Sequence, residues 1–113
     1  MVFKIVSLIL QVSLLGVVGA EPSFTKDLEP FLKEHCVRCH GKRKQKGDFR
    51  LDELSRQVGV KDAPLWHEVM ERISSGEMPP KDEFDLPTAD QSAEIVEWIA
   101  ARLKEGKSER MAK

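Results

Sequence analysis

Five residues constrain this chain more than any others: Cys36-Val37-Arg38-Cys39-His40, which contains both of the cysteines among its 113 residues. A disulfide between positions so close together would close too short a loop to staple a fold. The run is the C-x-x-C-H pattern of covalent haem attachment. One turn of backbone sets both thiols where they can add to the two vinyl groups on one edge of a porphyrin. The adjacent histidine is then carried under the iron as proximal ligand. The expectation is one haem c, attached through Cys36 and Cys39, with His40 on the iron. Three other readings use the same residues. The cysteines could stay reduced, or pair, without any cofactor. A thioredoxin-like site shares C-x-x-C, but it needs a strand leading into a helix within a βαβ unit, and nothing here reads as strand. A zinc or thiol module could use His35, Cys36, Cys39 and His40, although zinc sites normally gather ligands from two separated knuckles.

The rest of the chain asks for a bound group. Met1 to Ala20 has Lys4 as its only charge and an apolar run from Ile5 to Val18, diluted by Ser7, Gln11, Ser13 and Gly16. It closes with Val18-Gly19-Ala20 before Glu21, as a signal-peptidase site does. Residues 1–20 are therefore expected to be a signal peptide, and the protein to be exported to a periplasmic or equivalent extracytoplasmic compartment. The alternative is an uncleaved anchor, which is the one route to a membrane that the sequence offers. Residues 21–104 form the expected folded domain, and 105–113 an expected charged, disordered tail. After position 20 only 32 of 93 residues are apolar, and 17 basic residues face 19 acidic ones. A domain of that size buries only about 60–65% of its surface and is marginal without help. With an apolar share near one third it needs a disulfide, metal or cofactor to complete its core. A near-neutral balance gives no argument for nucleic acid.

The periodicity is helical throughout. Phe24, Leu28, Phe31 and Leu32 fall on one helical face, with Ser23 as N-cap. Pro30 should kink that helix or open a fresh one, and Gly41 is a reasonable stop. Lys42 to Ala63 reads mainly as loop, with a short helical turn after Asp52 suggested by Leu51, Leu54 and Val58. Asp62 offers an N-cap and Pro64 a first turn for a helix whose apolar stripe is Leu65, Trp66, Val69, Met70 and Ile73, ended by Gly76. Thr88 and Gln91 form a capping box, with Asp90 placed for the helix dipole. Ile95, Val96, Trp98, Ile99 and Leu103 are the buried face of that last helix. The fold class is all-α, with three to five helices and long loops around the haem.

Met78 is the candidate for the second axial position. A thioether is soft, favours ferrous iron and raises the potential. Pro79 and Pro80 have fixed φ and no N–H, so they stiffen a loop that can press the sulfur on the iron. Met70 lies in a core stripe, and Met111 in the tail. His35 is too close to the tether to reach the opposite face, and His67 follows Trp66 at a helix edge. The basic run Lys42-Arg43-Lys44-Gln45-Lys46 could offset haem propionates or dock an acidic redox partner, but reads first as a solvated loop. Trp66 and Trp98 are core.

With these residues in hand the chain resembles the planctomycete-type cytochrome c domain from about Phe24 to Leu103. The resemblance rests on Cys36-Val37-Arg38-Cys39-His40-Gly41, Lys46-Gly47-Asp48-Phe49-Arg50-Leu51-Asp52, Met78-Pro79-Pro80 and Glu97-Trp98-Ile99. One departure is Asp48, where the family often has a second glycine. The resemblance implies a fold similar to class I cytochrome c, whose first and last helices cross, so that Phe24, Leu28, Phe31 and Leu32 would meet Ile95, Trp98 and Ile99. It also implies haem attachment at Cys36 and Cys39, with His40 proximal and Met78 distal. The expected role is a small electron carrier exchanging electrons with a redox partner protein, not an enzyme. The rival is a haem-based redox or small-ligand sensing module in which Met78 is displaced.

Overall fold

The computed structural model describes residues 23–112, so the expected leader lies outside the described residues. Among these the chain forms three α-helices and no strand. The one β feature is an isolated bridge between His40 and Gln45. The all-α expectation therefore holds.

Ser23 opens the fold as a cap. Its hydroxyl accepts from the Lys26 amide at 3.1 Å, and its own amide donates to the Asp27 carboxylate at 2.7 Å. Phe24–Leu28 then make a wide π-helical turn, after which α1 (Glu29–His35) starts afresh with Pro30 in its first turn. A proline has no amide to donate to the preceding turn, so one continuous α-ladder cannot pass through it. In a first turn that missing donor costs nothing. Leu28, Phe31 and Leu32 are buried from this segment, and the Phe24 ring lies 6.2 Å from the rings of both Trp66 and Trp98.

Helix α2 spans Ala63–Ser74 and α3 spans Ala89–Met111. Asp62 stands at the N-cap position of α2, but with φ of 54° and its carboxylate accepting from the Ser55 amide at 2.8 Å instead of from its own helix. Trp66, Val69 and Ile73 are buried along α2, whereas Leu65, expected in the same stripe, is 41% exposed. Leu65 lies on the side of Glu68 and Arg72, at the edge of the face that carries Trp66. Gly76 ends the segment with φ of 77° and an amide bond to the Ile73 carbonyl at 3.1 Å.

The capping box of α3 is complete, with Gln91 N–H to Thr88 Oγ1 at 3.1 Å and Thr88 N–H to Gln91 Oε1 at 2.9 Å. Ile95, Trp98 and Ile99 are buried, and Val96 and Leu103 are partly so. The helix does not stop near Lys104. It continues through the segment expected to be a disordered tail as far as Met111. Gly106 explains this: it is buried against Gly59, and a Cβ on either residue would run into backbone of the other segment. The Arg110 guanidinium donates to the Gly59 carbonyl from one turn further on.

One core gathers the three helices, and its most extensive helix pair is α2 with α3. The crossing expected of the first and last helices is not a principal packing: Phe24, in the π-helical turn, meets the Trp98 ring, and Leu28, Phe31 and Leu32 share the core with Ile95, Trp98 and Ile99. Between α1 and α2 the chain is mainly loop, with a 3₁₀ turn at Lys46–Asp48 and a plain turn, not a helix, after Asp52. Leu51 and Val58 pin this loop by burial.

Candidate cofactor site

The C-x-x-C-H residues form one tight turn at the end of α1. The Cys36 and Val37 amides both donate to the Leu32 carbonyl at 2.9 Å, and the Cys39 and His40 amides return to the Cys36 carbonyl at 3.1 and 3.0 Å. Gly41 is needed where the turn folds back, because a Cβ there would strike the Val37 carbonyl and lie 2.8 Å from Val37 Cγ1. The loop after it straps itself to the turn. Gly41 donates to Lys44 at 2.8 Å, Lys46 to Cys39 at 2.9 Å and Leu51 to His40 at 2.8 Å.

This strap orients His40. Its Nδ1 lies 3.3 Å from the Phe49 carbonyl, and the Phe49 ring meets the imidazole edge-on at 5.8 Å. A carbonyl can only accept, so Nδ1 carries the proton in this contact and Nε2 keeps its lone pair. That is the tautomer an imidazole needs to bind a metal through Nε2.

Beside the turn lies a cavity of about 380 Å³ with a predominantly apolar wall, within the ~300–1,000 Å³ of cofactor-sized sites. The turn contributes Cys36, Cys39 and His40. The strap contributes Gly47, Phe49 and Leu51, and α2 contributes Val69 and Ile73. Met78, Pro79 and Pro80 form part of the wall as well. The Met78 amide is anchored on the Arg72 carbonyl at 3.1 Å, at the end of α2. All four residues expected to hold haem thus border one space.

The chemistry of the donors suits haem. The two thiols are free, and burial, followed by the neighbouring Cys39, pushes Cys36 up to about 12. Cys36 is therefore a neutral thiol at ordinary pH. A thioredoxin-like cysteine needs the opposite shift. Among the described residues no three His, Cys, Asp or Glu side chains come together as a metal-holding group, His35 and His40 with the cysteines included. Two thiols, an imidazole and a thioether around an apolar space fit a porphyrin iron better than a closed ion site.

The other candidates fall elsewhere. Met70 is partly buried against the core, and Met111 is exposed at the end of α3. His67 is exposed and 3.7 Å from the Glu71 carboxylate. The basic run 42–46 is exposed, and of it Lys46 alone reaches the cavity wall. Sequence reasoning missed the placement of His35. Its ring is only 4% exposed, borders the cavity and lies with Nδ1 2.8 Å from the Asp85 carbonyl. Nothing in the local sequence signals that contact, because the partner is 50 residues away and is a backbone atom.

Residues 36–82 match the family model described as Planctomycete cytochrome C. The match begins at the first cysteine of the tight turn and runs past Met78-Pro79-Pro80, so it contains most of the cavity wall. No curated protein and no solved structure is significantly similar to the chain.

Proposed function

We propose that the protein is an exported monohaem electron carrier with His40 and Met78 as axial ligands, a reading supported by the match of residues 36–82 to the Planctomycete cytochrome C family model. The observation that carries the reading is the meeting of Cys36, Cys39, His40 and Met78 on one apolar-walled cavity. Bound haem supplies reversible one-electron chemistry between ferric and ferrous iron. The protein does the rest. Cys36 and Cys39 would hold the haem through thioether bonds to its two vinyl groups, each formed by addition of a thiol S–H across a C=C bond with no net oxidation. His40 presents Nε2 while the Phe49 carbonyl fixes its ring. Met78 presents a soft sulfur that favours the ferrous state, from a loop stiffened by Pro79 and Pro80. The apolar wall would keep water from a bound haem, whose exposed edge would be the place for a redox partner protein.

Export rests on the leader-like character of residues 1–20. No helix among the described residues is long and apolar enough to cross a membrane. The test is a potentiometric titration combined with carbon monoxide addition to the ferrous protein. A reversible one-electron wave and slow carbon monoxide binding support the carrier. Rapid, stoichiometric binding would favour the small-ligand sensor.

A further inference from the structure

Among the described residues His35 is a titratable group on the cavity wall with an almost wholly buried side chain, and the proposed chemistry leaves it without a task. It is the last residue of α1 and directly precedes Cys36. Its ring is held from one side by the Phe31 ring, centroid to centroid 5.0 Å, and Phe31 belongs to the core. On the other side Nδ1 reaches the Asp85 carbonyl at 2.8 Å, and must be the donor because the carbonyl only accepts. The loop it meets has few ties of its own. Pro79, Pro80 and Pro87 have no N–H, and the backbone bonds that hold the stretch between Gly76 and Thr88 are Met78 to Arg72 and Glu83 to Pro80, at 3.1 and 3.0 Å. The first fixes the loop at Met78, next to an Arg72–Glu77 ion pair, the second folds it after Pro80, and the His35 bond fixes its last part at Asp85. Arg38 adds only an exposed pair with Glu83 at 3.7 Å, which contributes little.

We propose that His35 is a positioning residue: by donating Nδ1–H to Asp85 it ties the Met78 loop to the end of α1, and so sets how firmly the Met78 sulfur is held towards the iron. This rests on the reading of Met78 as distal ligand. The tie joins the two walls of the site at their closest covalent anchor, one residue from the first thioether. A hydrogen bond of this kind is worth about a tenfold change in the population of loop-open states.

The experiment uses the haem-loaded protein. His35→Leu keeps apolar packing on Phe31 and removes the donor, whereas His35→Asn keeps an N–H near the position of Nδ1. In His35→Leu the weak red charge-transfer band of methionine-ligated ferric haem should fade, carbon monoxide should bind the ferrous iron about tenfold faster, and the Glu83 amide should exchange faster. His35→Asn should bring all three back towards the parent. Unchanged readouts in His35→Leu overturn the proposal, and so does an equal loss in both variants, which would assign the effect to packing alone. Should His35→Leu fail to mature, the reduced parent decides. A slowly exchanging Nδ1–H resonance from His35 supports the tie, and its absence overturns it. A parent protein without the charge-transfer band contradicts Met78 ligation instead, and the exchange and resonance measurements then judge the tie by themselves.

Discussion

As the proposed axial ligands, His40 and Met78 have different kinds of support. His40 is held by the backbone of its own turn and by Phe49, whereas Met78 is held by one amide bond to Arg72 within a proline-stiffened loop. Met78→Ala should lower the reduction potential by on the order of 0.1 V, a modest part of the range that axial ligands span. It should also open the ferrous iron to carbon monoxide; an unchanged spectrum and potential would exclude Met78 as the ligand. Asp48 is a second residue-scale test. Its φ of 54° follows Gly47 at 66°, so two successive residues occupy the left-handed region that favours glycine. Asp48→Gly should therefore stabilise the protein by up to about 1 kcal/mol, read as a higher urea midpoint. Cys36 gives a pH test in the chain before haem attachment. Its folded thiol ionises only at about 12 against an ordinary value of 9.0. Because the folded pKa is raised, the protonated thiol contributes stability below the unfolded value, and that stability drains away as pH rises from about 9.0 to 12. The haem-free chain should lose stability in this alkaline window, and a Cys36→Ala variant should lose less. Residue spacing makes the motif of Cys36, Cys39 and His40 readable. It does not place His35, whose partner is a distant carbonyl, or show that the Asp62 carboxylate serves Ser55 and not its own helix.

Elements are readable wherever a periodic stripe and a cap agree. The capping box at Thr88 and Gln91 and the glycine stop at Gly76 are local chemistry and fall where the sequence puts them. Thr88→Ala should cost about 1 kcal/mol in thermal or urea unfolding, since it leaves the Gln91 amide without its cap. The C-terminal extent of α3 is not readable, because its last turns are anchored by a close glycine approach and not by apolar periodicity. Gly106→Val should accordingly destabilise the protein by about 1–3 kcal/mol, as the side chain meets the Gly59 backbone. If the 105–111 segment were instead a loose tail, that substitution would leave the melting curve unchanged. The stripe of α2 departs from expectation at Leu65, which lies at the edge of the buried face and is 41% exposed, because periodicity does not fix how wide the buried stripe is.

At the scale of the molecule, the shortage of apolar residues and the cavity are two aspects of one fact. The core joins all three helices, yet a space of about 380 Å³ lies between the tight turn, α2 and the Met78 loop. Haem held there as proposed would add apolar contact to both walls and tie the Met78 loop to the turn that ends α1. A chain with Cys36→Ala and Cys39→Ala should therefore unfold at a markedly lower temperature than the haem-loaded protein, and less cooperatively. The all-α class is legible because apolar stripes and caps recur at helical spacing. The dominance of the α2–α3 pairing is not, since helical faces do not announce their partners. The most direct measurement is a visible spectrum with a pyridine haemochrome assay, on protein made in a host that matures c-type haem. Narrow α and β bands, with one haem per chain retained after denaturation, are the predicted result. Colourless protein from such a host, or haem that is lost on denaturation, would contradict covalent attachment through Cys36 and Cys39.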